Sequence, residues 1–249
     1  MMNEDSKKVF SRRLLAWWKN NKRDFPWRHT NDPYAVLIAE MLLRKTTAPQ
    51  VDRLYKALIG RYPDAKSLSE ADENELRDMI KPLGMEHKRA KLLKEVSHVI
   101  IRSYNGIIPS AQKELLQLPG IGLYAANAVL SFSHAQNVPM VDTNFVRLIK
   151  RVFGYTTSRA RARDDQQIWE FAKILVPKGR SKEFNLAVID FASLVCRVRV
   201  PKCEVCPLTS ICVFFKKNTQ YHETNENLRS TLVKRKKYIA GGGRWINRQ

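Results

Sequence analysis

A chain of 249 residues carries 44 Lys and Arg against 24 Asp and Glu, a formal charge of +20, and is 44% hydrophobic. Such a length supports a sizeable buried core, as one large domain or two interlocked lobes, and no apolar run approaches the roughly 20 residues that span a bilayer. The opening MMNEDSKKVF has no apolar stretch of a secretory leader, and the basic excess points to a polyanion, most often nucleic acid, rather than to a membrane.

In chain order the segments read as helix almost throughout. VFSRRLLAWWKNN (9–21) repeats apolar residues at Val9, Phe10, Leu14, Leu15 and Trp18, a helical stripe. NDPYAVLIAEMLLRKTT (31–47) offers Asp32 as N-cap and Pro33 at the first helical position. PQVDRLYKALIGRY (49–62), SEADENELRDMIKPL (69–83) and HKRAKLLKEVSHVIIRSY (87–104) continue the pattern. KELLQL (113–118) leads into LPGIGLYAANAVL (118–130), and the rest follows as TNFVRLIKRVFG (143–154), DDQQIWEFAKILV (164–176) and EFNLAVIDFASLVC (183–196). No stretch alternates with the period of a strand and LPGIG occurs once, so the expected class is all-α without solenoid repeats. Hydrophobic density drops from about residue 213, and LVKRKKYIAGGGRWINRQ (232–249) reads as a basic tail.

The Cys residues follow as Cys196-x6-Cys203-x2-Cys206-x5-Cys212. An intracellular, cytoplasmic protein is expected from the missing leader, and disulfides are rare there. Clustered soft thiolates then suggest an iron–sulfur cluster or a tetrahedral zinc ion, and a single close pair with asymmetric outer ligands favours the cluster. Between the first two ligands stand Arg197, Arg199 and Lys202, cations suited to phosphates. In LPGIG, Gly120 and Gly122 free the backbone for positive φ and close approach, so that N–H groups ahead of a helix can face a phosphate. A helix–hairpin–helix unit of this kind grips DNA without reading its sequence.

On LPGIGLYAANA, VDTNFVRL and the four-Cys spacing, the chain resembles the helix–hairpin–helix DNA glycosylase superfamily, in the branch of endonuclease III and the MutY adenine glycosylase, over about residues 9–212. The resemblance implies two helical lobes with a deep groove between them. A six-helix barrel would span 28–135, a [4Fe–4S] lobe would comprise 1–27 and 136–212, and 213–249 would be the basic tail. It also implies cluster ligation by Cys196, Cys203, Cys206 and Cys212, a backbone grip at Leu118, Gly120, Ile121 and Gly122, and a nucleotide flipped into the groove.

Roles follow from the same resemblance. Asp142 matches the catalytic Asp, which stabilises the oxocarbenium-like sugar and directs water, while also suiting an N-cap. Tyr124 stands where bifunctional members carry a Lys that forms a Schiff base; a phenol cannot, so hydrolysis without strand cleavage is expected. Tyr here, with Arg44, Lys45, Thr46 and Thr47 where MutY reads QQTQ, is similar to the mismatch-specific thymine and uracil glycosylases. Glu40 aligns with the acidic residue that MutY uses on the departing base. Met85 matches the wedge loop, and Arg44 or Lys45 would enter the duplex opposite the orphaned guanine. The expected partner is double-stranded DNA bearing a mismatch, bound by a monomer. Adenine excision opposite G or oxidised G is the alternative, although after Cys212 only 37 residues follow where MutY carries a further domain. A non-catalytic DNA-binding or redox module is the third reading.

Overall fold

The computed structural model describes residues 4–218, which contain helices and no strand. Eleven α-helices are placed among them: α1 Glu4–Asn21, α2 Pro33–Leu42, α3 Ala48–Arg61, α4 Ala65–Ser69, α5 Glu73–Ile80, α6 Glu86–Tyr104, α7 Gln112–Leu115, α8 Leu123–Ser133, α9 Thr143–Phe153, α10 Gln166–Leu175 and α11 Ser181–Leu194. Among the described residues no helix is long and apolar enough to cross a membrane. Of the basic tail, 213–218 are helical and the rest lies outside the described residues.

Local chemistry explains most boundaries. Asp32 caps α2, its carboxylate accepting from the amides of Tyr34 at 3.0 Å and Ala35 at 3.3 Å, with Pro33 behind it. The apolar run predicts a helix to 47, but α2 stops at Leu42. Thr47 starts a new helix, its amide bonded to the Gln50 side chain at 3.0 Å, and Lys45 takes up a left-handed φ of 55° in the turn between. Two further expectations shift. α5 starts at Glu73 because Asp72 caps it, and the short α4, capped by Asp64, lies in a stretch whose five residues carry too little periodicity to read.

The helices enclose two hydrophobic cores. One runs from Phe25 to Met140 and takes in α2 to α8, joined by Leu186; the other gathers α1, α9, α10, α11 and Cys196 to Cys212. α2 is buried from Tyr34 through Leu42 and α8 from Ala126 through Phe132, so these two mutually packed helices are apolar on nearly every side. α1 packs on α11, which places the first helix of the chain beside the last of the α series, and Trp18 touches both cores.

A buried carboxylate ties the two regions together. Asp190 on α11 is fully buried and accepts from Trp18 Nε1 at 2.8 Å, Arg23 Nε at 2.7 Å, and Arg28 Nη1 and Nη2 at 2.7 and 2.9 Å. Burial alone would raise its pKa, but the Arg28 hydrogen bonds and charge, with Arg23 and Trp18, outweigh that and hold the carboxyl below the usual range. Asp190→Asn strips the charge that balances two guanidinium groups. A loss of about 3–5 kcal/mol is expected in urea unfolding at neutral pH.

Candidate functional site

A groove of about 1570 Å³ opens along the junction of the two cores. A pocket shaped for one small molecule is usually no more than about 1,000 Å³, so this space suits an extended ligand. Glu40 of α2, Tyr124 of α8 and Asp142 at the head of α9 all line it, together with Gly120, Gly122 and Arg197. The three residues singled out for chemistry therefore share one cavity, although they are far apart in the chain.

Asp142 is held firmly. Its Oδ1 accepts from the Phe145 amide at 2.7 Å, so it is the N-cap of α9, and its Oδ2 accepts from Asn144 Nδ2 at 2.7 Å. Asn144 in turn accepts from Arg147 Nη1 at 3.0 Å, and Arg147 donates to the carbonyls of Cys196 at 3.0 Å and Ala192 at 2.8 Å. The segment before Asp142 is clamped by two buried amides. Asn127 Nδ2 donates to the Pro139 carbonyl at 2.7 Å, and Asn185 accepts from the Met140 amide at 3.0 Å while donating to the Val138 carbonyl at 2.9 Å.

Glu40 is 7% exposed, and among the described residues no group hydrogen-bonds its carboxyl. Burial raises its pKa to about 7, the negative charge of Asp142 pushes the same way, and Arg28 opposes both. Near neutral pH a sizeable fraction of Glu40 therefore keeps its proton and is a donor. Tyr124 is partly exposed to the groove. Burial, then the charges of Glu40 and Asp142, raise its phenol well above the ordinary value, so it remains a neutral O–H. Arg28 supplies the nearby cation, and its buried Nε finds no partner among the described residues.

The hairpin turn needs glycine at one of its two positions for backbone reasons. Gly120 has φ +72°, and a Cβ there would lie 3.0 Å from both Arg44 Nη1 and Leu92 Cδ2. Gly122, expected to share the positive φ, instead has −101°, and a Cβ would meet nothing of the protein within 4 Å. Only something arriving from outside benefits from the bare Cα at 122. Leu118 and Ile121 are buried at 2% and 7%, so their side chains anchor the turn in the core, and their amides donate within it, to the carbonyls of Leu115 and Leu118. Met85 is 48% exposed in a left-handed turn before α6, outside the core. Lys45 lies in its own exposed turn on the groove wall. Arg44, expected to reach into a duplex, here donates to the Gly120 carbonyl at 3.1 Å.

The four Cys are free thiols in one neighbourhood. Burial raises the thiols of Cys203, Cys206 and Cys212, Cys206 to about 11, and each also feels the charge of neighbouring sulfurs. Arg151 donates to Cys196 Sγ at 3.4 Å, and the Leu208 amide to Cys206 Sγ at 3.4 Å. Among the described residues no three His, Cys, Asp or Glu side chains are spaced around a single-ion point. Arg197, Arg199 and Lys202 are exposed or partly exposed around the loop that Cys196 and Cys203 bracket, and of these Arg197 reaches the groove.

Residue patterns alone missed Arg28, Asn144, Arg147 and Asn185. Asn144 and Arg147 stand inside VDTNFVRL, where only Asp142 draws attention, and Arg28 is one cation among 44 until its partner 162 residues away is seen.

A relative from Pyrobaculum aerophilum described as thymine/uracil-DNA glycosylase is 44% identical over 208 residues, 82% of this chain and 90% of its own length. The solved structure of a thermostable thymine-DNA glycosylase superposes with a TM-score of 0.82 at 39% identity, over 86% of this chain and 98% of that one. An adenine DNA glycosylase from Mycolicibacterium smegmatis is more distant, 35% identical over 79% of this chain and 66% of its own. The family pattern described as HhH-GPD superfamily base excision DNA repair protein matches residues 38–174, and with these likenesses the chain belongs to that family.

Proposed function

We infer that the protein is a monofunctional DNA glycosylase that flips thymine or uracil out of a mismatch with guanine and removes it by hydrolysis, acting as a monomer on duplex DNA. The observation that carries this reading is the single groove shared by a buried, unbonded carboxyl at Glu40, a fixed carboxylate at Asp142 and a neutral phenol at Tyr124. The likeness to the named thymine and thymine/uracil glycosylases supports the choice of base.

Each group has a step. As the N-glycosidic bond lengthens, positive charge builds on the sugar, and the Asp142 carboxylate beside it lowers the barrier and directs water to C1′. Its orientation costs nothing at that moment, because Phe145 and Asn144 already hold both oxygens. Protonated Glu40 donates to a carbonyl oxygen of the departing pyrimidine, which leaves more easily as charge gathers on it. Tyr124 lies against the base and offers no amine, so the product is an abasic site with its strand intact. Phosphates meet the hairpin amides of Gly120 and Gly122 and the cations around Arg197. Unstacking is easier at a mismatch by a few kcal/mol, which gives part of the selectivity.

The four thiols fit a [4Fe–4S] cluster. They are soft donors, mutually close, and faced by a guanidinium and an amide that offset the charge of a thiolate-bound cluster. In such a cluster each Cys binds its own iron, so convergence on one ion point is not required. When bound, the cluster would supply rigidity to the 196–212 loop. Purified protein is expected to contain about four irons per chain with broad visible absorbance, both lost together in Cys203→Ser. A colourless protein holding zinc would overturn the assignment.

The activity test is a panel of T·G, U·G and A·G duplexes, each incubated with enzyme and then treated with alkali. Cleavage of the T or U strand only after alkali is expected. Cutting of the A strand alone would replace this reading with adenine excision, and cutting without alkali would refute the monofunctional mechanism.

A further inference from the structure

Three turns of the first core are linked by side-chain hydrogen bonds: 43–47 between α2 and α3, 84–85 before α6, and the hairpin 118–122. We propose that Arg89 is a positioning residue that locks these three turns into one rigid unit. Arg89 is only 8% exposed on the first turns of α6. Its Nε donates to the Gly84 carbonyl at 2.9 Å, its Nη1 to the carbonyls of Met41 and Leu42 at 3.2 Å each, and its Nη2 to the Arg44 carbonyl at 2.6 Å. Among the described residues no carboxylate pairs with it. A buried cation without a counter-ion is costly, and here four backbone carbonyls offset the cost.

Two of those carbonyls, Met41 and Leu42, end α2, where a cation also complements the helix dipole, and the third, Arg44, belongs to the turn 43–47. The fourth belongs to the turn before α6. One planar guanidinium thus bridges two loops, which a lysine with a single ammonium does less well. The bridge extends to the third turn through Arg44. Arg89 holds the Arg44 carbonyl, while the Arg44 guanidinium donates to the Gly120 carbonyl at 3.1 Å.

Directly after Arg44 and Gly84, whose carbonyls Arg89 holds, come Lys45 and Met85, two non-glycine residues with φ of 55° and 56°. Such conformations persist where the surroundings over-determine them. The two residues, with Arg44 and Lys88, rim a depression of about 230 Å³. The bridge fixes the separation of the side chains that would enter a duplex from its two sides; that part rests on the function proposed above, whereas the rigidity does not.

Hydrogen exchange of the full chain in the absence of DNA reads the rigidity directly. Arg89→Met should speed exchange of amides in 43–47 and 84–86 by about tenfold or more, leaving α9 to α11 as in the wild type, and Arg89→Lys should fall between. With enzyme in excess, Arg89→Met should slow base release from a T·G duplex by about 10²-fold. On the same base in single-stranded DNA, where no wedge is needed, the wild-type rate should be kept. Uniformly faster exchange, or equal loss on both substrates, would reduce Arg89 to ordinary packing and overturn the proposal. Should Arg89→Met fail to fold, Arg44→Ala cuts only the link to Gly120. It must then speed exchange at 118–122 without changing 84–86, and any other pattern refutes the coupling. A wild type inert on every duplex would refute the proposed function but leave the exchange result to decide the role of Arg89.

Discussion

Asp142→Asn should slow base release by about 10²- to 10³-fold in single-turnover assays while the protein stays folded. The two jobs of this side chain make the experiment clean. As N-cap it needs an oxygen to accept from the Phe145 amide, and Asn supplies one about as well as Asp, giving up only the bond from Asn144 to the second oxygen. As the group facing a developing cation it needs a full negative charge, and Asn has none. The amide also removes the repulsion that Asp142 exerts on Glu40, so the Glu40 pKa should fall from about 7. Asp142→Ala, in contrast, loses the cap as well and should cost about 1 kcal/mol in stability. An Asn variant that releases base at the wild-type rate would remove this carboxylate from the chemistry.

Glu40→Gln should stabilise the protein and cripple it together. Below the ordinary Glu value of 4.5 the carboxyl is protonated in both folded and unfolded chains, so no penalty exists. As pH rises from 4.5 to about 7 the unfolded chain ionises while the folded one keeps its proton, and stability falls across that window. At about 1.4 kcal/mol per pH unit, the interval from 4.5 to about 7 amounts to about 3 kcal/mol, reached above pH 7. A neutral amide of the same shape escapes it. Urea unfolding should therefore show the variant ahead by up to about 3 kcal/mol at pH 8 and level with the wild type at pH 4. Base release should drop by about 10²-fold, because the amide can still hydrogen-bond the leaving base but has no acidic proton to give it. The wild-type rate should decline as pH rises through about 7, and that decline should vanish in the variant. Stability curves that run parallel at both pH values would mean the carboxyl is not held protonated by its surroundings.

Much of this was legible before any coordinates. Helix positions followed from periodicity and from caps such as Asp32, because both are local properties. Glu40 and Tyr124 stand out because a carboxylate in an apolar helix and a phenol behind a glycine turn are costly or odd unless used, whereas Asp142 is found only through the resemblance that VDTNFVRL carries. What stayed hidden depends on distance. Arg28 and Asp190 meet across 162 residues, and Asn185 reaches the Met140 amide across 45. Arg44 shows the same limit: a long cation reads as a ligand for phosphate, and nothing in its own segment betrays the carbonyl at Gly120 to which it also donates. Gly122 shows the reverse. Its sequence context suggested unusual dihedrals, yet its backbone is ordinary and its missing side chain matters only to a visitor.

The packing of α1 on α11 bears on how the chain is made. Ser11 Oγ donates to the Leu175 carbonyl at 2.6 Å and Trp18 Nε1 to Asp190, contacts that span 164 and 172 positions. A ribosome adding about 5–20 residues per second would leave the first helix without its docking surface for roughly ten to thirty seconds. The α2–α8 core, by then fully extruded, can close in the meantime. An amphipathic, cationic segment thus waits beside an already folded neighbour, which makes that interval the one in which a chaperone, or a stray polyanion, has most access to the nascent protein.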